Sequence, residues 1–202
     1  MSQIALPLTL RTATDPASIV IGNANQSVLD AFSDPHRWPF RTAVLTGPTR
    51  SGKSLLGRWA KGQGIAVVDG ADAVEETELF HRWNAAQESG EPLLLICDVQ
   101  PWDIALPDLR SRLGAALQLE IGVPNDEMVG QLIETMAAVR GLALADGAAD
   151  YLSPRAVRSF AAIEDLVATI DQLSLERKAP ATMSIWRAAL DATRGPEQAR
   201  LL

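Results

Sequence analysis

A single cysteine, two histidines and one tyrosine leave this 202-residue chain few groups for redox, metal or general-base chemistry. With only Cys97 no intrachain disulfide can form. Its place in the apolar run 93–97 (LLLIC) reads as a small buried hydrophobe, as suits a reducing compartment. His36 and His81 have no carboxylate or serine at a telling spacing and read as structural. No cluster of Cys and His has metal-ligand spacing. Lys/Arg runs are also lacking, and the net charge is −7, which argues against a protein that grips a DNA duplex by its phosphates. No apolar stretch approaches the roughly 18 residues a membrane span needs. Residues 1–12 lack the basic start and long apolar run of a secretory leader. The expectation is a soluble, cytoplasmic protein.

Hydrophobic residues make up 47% of the chain, enough for one core with a small appended subdomain. Residues 1–18 carry Pro7 and Pro16 and little periodicity, and read as an extended arm. Residues 26–33 form a short helix before Pro35 and Pro39. Beyond them, short apolar strands at 42–46 (TAVLT), 65–69 (IAVVD), 93–97 and 117–121 alternate with helices at 53–61, 75–88 and 106–113. That alternation predicts an α/β domain over 19–122, built on a parallel sheet of about four strands. The character changes after Gly122. Helices at 125–140, 145–152, 159–178 and 182–191 predict an all-helical lid over 123–192, followed by a tail at 193–202. Asn125 with Asp126 and Glu127 makes a favourable helix start, and Gly141 a stop. Trp38, Trp59, Trp83, Trp102 and Trp186 each neighbour apolar residues and read as packing anchors.

The strongest motif is residues 47–54, GPTRSGKS, lying between a strand and a helix. It matches the phosphate-binding pattern G-x-x-x-x-G-K-[ST]. Gly47, Pro48, Thr49, Arg50, Ser51 and Gly52 curl the backbone so that N–H groups point inward, and Leu55 continues into the helix. Lys53 neutralises phosphate, Ser54 can ligate Mg²⁺, and the helix start favours the anion. Asp69, ending the second strand, is either the acid that holds the Mg²⁺ shell or an Asp-Gly turn residue. Asp98, ending the third, either positions water or caps the loop before Pro101. Arg110 and Arg112 lie on different faces of one short helix. Such an arginine can reach a nucleotide held by another subunit, or simply be a solvated surface group. The segment 3–8, QIALPL, puts Gln3, Leu6 and Leu8 on an extended peptide stiffened by Pro7. It suits either a partner's groove or its own domain.

Together the arm, residues 19–25 (IVIGNAN), the phosphate loop, residues 106–113 (LPDLRSRL) and the helical lid resemble the DnaA-related Hda/HdaA group of AAA+ proteins, over most of the chain. The resemblance implies a P-loop AAA+ fold. In it Gln3, Leu6 and Leu8 would occupy the groove of the DNA polymerase sliding clamp, and Val20 and Ile21 would lie near the adenine. Arg112 would be an arginine finger acting on ATP bound to DnaA. The implied function is inhibition of DNA replication initiation, by stimulating hydrolysis of DnaA-bound ATP. The partners would be clamp and DnaA, with self-association through the Arg112 face also suggested.

Three departures from that pattern bear on chemistry. Only 16 positions separate Lys53 from Asp69, so one strand–helix unit is missing, and 65–69 is either the Mg²⁺-binding strand or the one before it. Gly70 stands where hydrolysis wants a second acid. Glu164 stands where the lid normally offers an arginine, with Arg158 one and a half turns earlier. A carboxylate facing a triphosphate is repulsive, which favours ADP over ATP as the ligand. The expectation is a nucleotide-holding regulator. The rivals are a self-contained P-loop ATPase and a scaffold whose loop is only structural.

Overall fold

The computed structural model describes residues 19–193. The arm with Gln3, Leu6 and Leu8, and the tail after Thr193, lie outside the described residues.

Helix α1 (Gln26–Phe32) precedes strand β1 (Thr42–Thr46). There follow α2 (Lys53–Gly62), β2 (Ala66–Asp69), α3 (Glu76–Ser89), β3 (Leu93–Ile96), α4 (Pro107–Gly114) and β4 (Leu117–Glu120). The strands form one parallel sheet in the order β2-β3-β1-β4. Side chains alternate across the sheet, so each central strand feeds two cores. Ala43, Leu45, Leu94 and Ile96 join α1, α2 and the C-terminal helices in one cluster. Val44, Leu93 and Leu95 pack with α3 and α4 in the other. All of β1 and β3 is buried, as continuously apolar central strands require. On the first face α2 approaches closely through Gly57, where an added Cβ would come 2.6 Å from Ile96 Cδ1. Trp59 on α2 stacks against Phe32 of α1, with ring centroids 6.1 Å apart.

Four helices follow: α5 (Asp126–Val139), α6 (Ala148–Leu152), α7 (Phe160–Arg177) and α8 (Met183–Thr193). Asn125 caps α5, its side chain accepting from the Met128 N–H, with Asp126 and Glu127 in the first turn. Helix α6 begins later than the sequence suggests. Leu144 instead pairs with Ala181 in an isolated bridge, and Gly147 takes a left-handed turn (φ 79°) into the helix. Trp186 of α8 is buried against Tyr151 of α6. Among the described residues no helix is long and apolar enough to cross a membrane.

Candidate nucleotide-binding site

The loop between β1 and α2 carries the phosphate-binding motif, and its backbone explains its residues. Gly52 has φ 87°, with nothing within 4 Å of where a Cβ would sit. Gly47 has φ 154°, and a Cβ there would come 2.9 Å from Ile121 Cβ. Both positions need glycine. Arg50 adopts the left-handed region (φ 62°) without being glycine. Ser51 is buried, and its Oγ has no partner among the described residues. A buried hydroxyl without a partner is costly unless a ligand supplies one, so the loop fits a phosphate group.

Beside the loop opens a cleft of about 380 Å³, within the size range of small-molecule sites. One wall is the loop and α2, through Arg50, Ser51, Gly52, Lys53, Ser54 and Leu55, with Arg58 one turn further on. The opposite wall is one face of α5, where Met128, Leu132, Thr135, Met136 and Val139 recur at helical spacing, with Arg140 at the helix end. Phe160 and Glu164 of α7 contribute to the boundary. Ile19 and Val20 close the apolar side. Asn25 fixes them: its Oδ1 accepts from the Gly22 N–H at 2.9 Å, and its Nδ2 donates to the Val20 carbonyl at 2.8 Å. Gly22 lets this segment lie on α5, since a Cβ there would come 2.9 Å from Met128 Sδ. The cleft thus pairs an apolar slot with a cationic, N–H-rich loop.

Lys53 is buried. Its Nζ donates to the carbonyls of Gly47 (2.9 Å) and Pro48 (3.1 Å) and lies 3.1 Å from Asp98 Oδ1. Gly47, Pro48 and Thr49 shape the loop without lining the cleft. Asp98 follows β3, the strand beside β1, and therefore stands at the head of the cleft.

Three expected residues are placed elsewhere. Asp69 is exposed at the end of β2, and β3 intervenes between β2 and β1. At about 4.8 Å per strand this sets it roughly 10 Å aside, and it does not line the cleft. The strand-end acid next to the loop strand is Asp98. Asp72 accepts from the N–H groups of Asp98 and Val99 and so caps the loop after β3. Ile21 is exposed and outside the cleft wall, while its neighbour Val20 lines it. Arg158 pairs with Asp126 at 2.7 Å, and Arg140 is the arginine on the helical wall. Nothing in the sequence singled out Arg140, Arg58 or the α5 stripe as site residues, although the helical period of 128, 132, 135, 136 and 139 was visible. Among the described residues no three His, Cys, Asp or Glu side chains group to hold a metal ion.

Buried at the end of β3, the Cys97 thiol is pushed up to about 12, by burial first and then by the charges of Asp72 and Asp98. On the far side of the sheet Arg112 is folded onto α3. Its guanidinium carbon sits 4.4 Å from the Phe80 ring centroid and 4.5 Å from that of Trp83, and Nη1 donates to Asn84 Oδ1 at 2.6 Å. Arg110, on the other face of α4, donates to the Ile104 carbonyl.

No family model matches the chain. In sequence it is 28% identical over 138 residues to the chromosomal replication initiator protein DnaA of Magnetococcus marinus, covering 67% of this chain and 31% of that protein. It is 28% identical over 166 residues to an uncharacterized protein of Haemophilus influenzae, covering 77% and 71% respectively. The chain thus spans less than a third of the DnaA it matches. In structure it is similar to domain III of Thermotoga maritima DnaA, with TM-score 0.73 and 13% identity, covering 92% of this chain and 99% of that one. It is also similar to AMPPCP-bound DnaA of Aquifex aeolicus, with TM-score 0.59 and 18% identity over 84% of this chain and 70% of that one.

Proposed function

Because the chain has a DnaA-related AAA+ fold, we propose that it is a nucleotide-binding adaptor that restrains replication initiation. It holds an adenine nucleotide, ADP in preference to ATP, between the phosphate loop and α5. Through residues 3–8 it binds the sliding clamp, and with Arg112 it promotes hydrolysis of ATP held by DnaA. The observation that carries the nucleotide assignment is the cleft itself: an apolar slot on one side, and on the other a phosphate loop whose buried Ser51 hydroxyl lacks a partner. The AMPPCP bound to the Aquifex aeolicus relative supports the same reading. With Asp69 outside the cleft and Gly70 next to it in sequence, no strand-end acid pair faces the cleft among the described residues, as hydrolysis of the chain's own nucleotide would use. That favours the adaptor over a self-contained ATPase.

The test is a reconstituted reaction containing ATP-loaded DnaA, clamp-loaded DNA and this protein. Hydrolysis of DnaA-bound ATP is expected to rise with the wild-type chain, and to stay at the basal rate when residues 1–8 are deleted. No stimulation by the wild-type chain would contradict the regulatory assignment. Stimulation by the truncated chain would contradict the role of the arm.

A further inference from the structure

Most polar side chains lining the cleft either have partners or belong to the phosphate loop. Lys53 is matched by Asp98, while Arg50 and Arg140 share Glu164, at 3.8 Å and 3.5 Å. Asn25 is engaged at both ends, by the Gly22 N–H and the Val20 carbonyl. Ser51 and Ser54 stand at the phosphate end. Two lining side chains are left over, Arg58 of α2 and Thr135 of α5. Their polar atoms make no hydrogen bond or ion pair among the described residues.

Both stand in the middle of the cleft. Met128, near the start of α5, lies against Gly22 and marks the apolar end. Arg140, where α5 stops, is tied through Glu164 to Arg50 and marks the phosphate end. At the helical rise, Thr135 stands about 10 Å from the first and about 8 Å from the second. It interrupts an apolar stripe, with Leu132 and Val139 a turn to either side. On the facing wall Arg58 lies one turn beyond Ser54, about 6 Å further along α2. The middle of the slot thus offers a guanidinium that only donates and a hydroxyl that both donates and accepts.

We propose that Arg58 and Thr135 form a ribose subsite, which holds the 2′- and 3′-hydroxyls and makes the cleft select ribonucleotides over deoxyribonucleotides. The proposal rests on the nucleotide-binding reading of this cleft. A nucleotide is flat and largely apolar at its base, anionic at its phosphates, and carries neutral hydroxyls between the two. The cleft places its apolar end, these two side chains and the phosphate loop in the same order. The sugar hydroxyls accept from Arg58 and exchange a hydrogen bond with Thr135. A sugar without them covers the Thr135 hydroxyl and leaves it unpartnered in its apolar stripe. That cost falls on the deoxy sugar alone.

Calorimetric titration of the full chain with ADP, 2′,3′-dideoxy-ADP and inorganic pyrophosphate, Mg²⁺ present throughout, tests this. Wild type is expected to bind ADP about tenfold tighter than the dideoxy analogue. Thr135→Val and Arg58→Gln should each shrink that gap by about threefold, by weakening ADP, and leave pyrophosphate binding unchanged. A wild-type chain that binds ADP and its dideoxy analogue equally, or variants that keep the wild-type ratio, overturn the subsite while nucleotide binding stands. An Arg58→Gln chain that loses pyrophosphate affinity as much as ADP affinity assigns Arg58 to the phosphates and overturns its place in the subsite. A wild-type chain that binds neither nucleotide overturns both readings.

Discussion

Lys53 and Asp98 are joined across the head of the cleft, Nζ to Oδ1 at 3.1 Å, while the same ammonium donates to the carbonyls of Gly47 and Pro48. The lysine is buried and the carboxylate is mostly exposed, so the aspartate is the partner that can leave when a phosphate arrives. Phosphate must therefore compete with Asp98 for one cation. Asp98→Asn is expected to tighten ADP binding, by about 2- to 5-fold on the scale of a partly exposed ion pair. Titration calorimetry reads this directly. Weaker binding would mean instead that the carboxylate helps to position the nucleotide.

Arg112 is held by two aromatic faces and by Asn84. A role toward a nucleotide on another protein requires the guanidinium to swing off α3. Asn84→Ala removes the hydrogen bond and keeps the arginine. It should leave stimulation of DnaA-bound ATP hydrolysis at or above the wild-type level. Arg112→Ala should abolish stimulation and also lower stability by about 1–2 kcal/mol, from lost cation–π contact and packing. Chemical denaturation separates the two effects. Full stimulation by Arg112→Ala would remove this arginine from the account.

Gly57 sits where α2 meets the sheet, and a methyl there would press on buried Ile96 and on Val67. Gly57→Ala should destabilise the fold by about 1–3 kcal/mol through overpacking, despite the better helix propensity of alanine. The urea midpoint checks it. An unchanged or higher midpoint would mean that Ile96 can repack freely.

Cys97 is buried, and its thiol is held neutral far above physiological pH. The native protein should resist iodoacetamide at pH 8 and react stoichiometrically once unfolded, because the thiolate is the nucleophile. Mass spectrometry of the alkylated chain distinguishes the two states. Rapid modification of the native protein would show that the end of β3 opens.

Much of this architecture can be read from local pattern. Continuous apolar runs at β1 and β3, a glycine-rich turn into α2, and Asn125 before two acids each carry enough short-range information to place an element. Trp38, Trp83 and Trp186 are buried, as packing anchors should be. What stays hidden is lateral order. Asp69 and Asp98 look alike as strand-end acids, and only the insertion of β3 between β2 and β1 sets one aside and brings the other to Lys53. Arg140 is hidden for a similar reason. At a helix end before Gly141 it resembles any arginine that complements a helix dipole, until α5 and α7 pack and bring it to Glu164. Asp72 lies on a turn, whose direction periodicity does not define.

The central claim, that the cleft between the phosphate loop and α5 holds an adenine nucleotide, is tested most directly by thermal unfolding with ADP and Mg²⁺. At about 100-fold excess over the dissociation constant, the ligand should stabilise the native state by about 2.7 kcal/mol, a clear rise in melting temperature. Lys53→Ala should lose most of that rise. A wild-type melting temperature that ADP and ATP both leave unchanged would contradict the account.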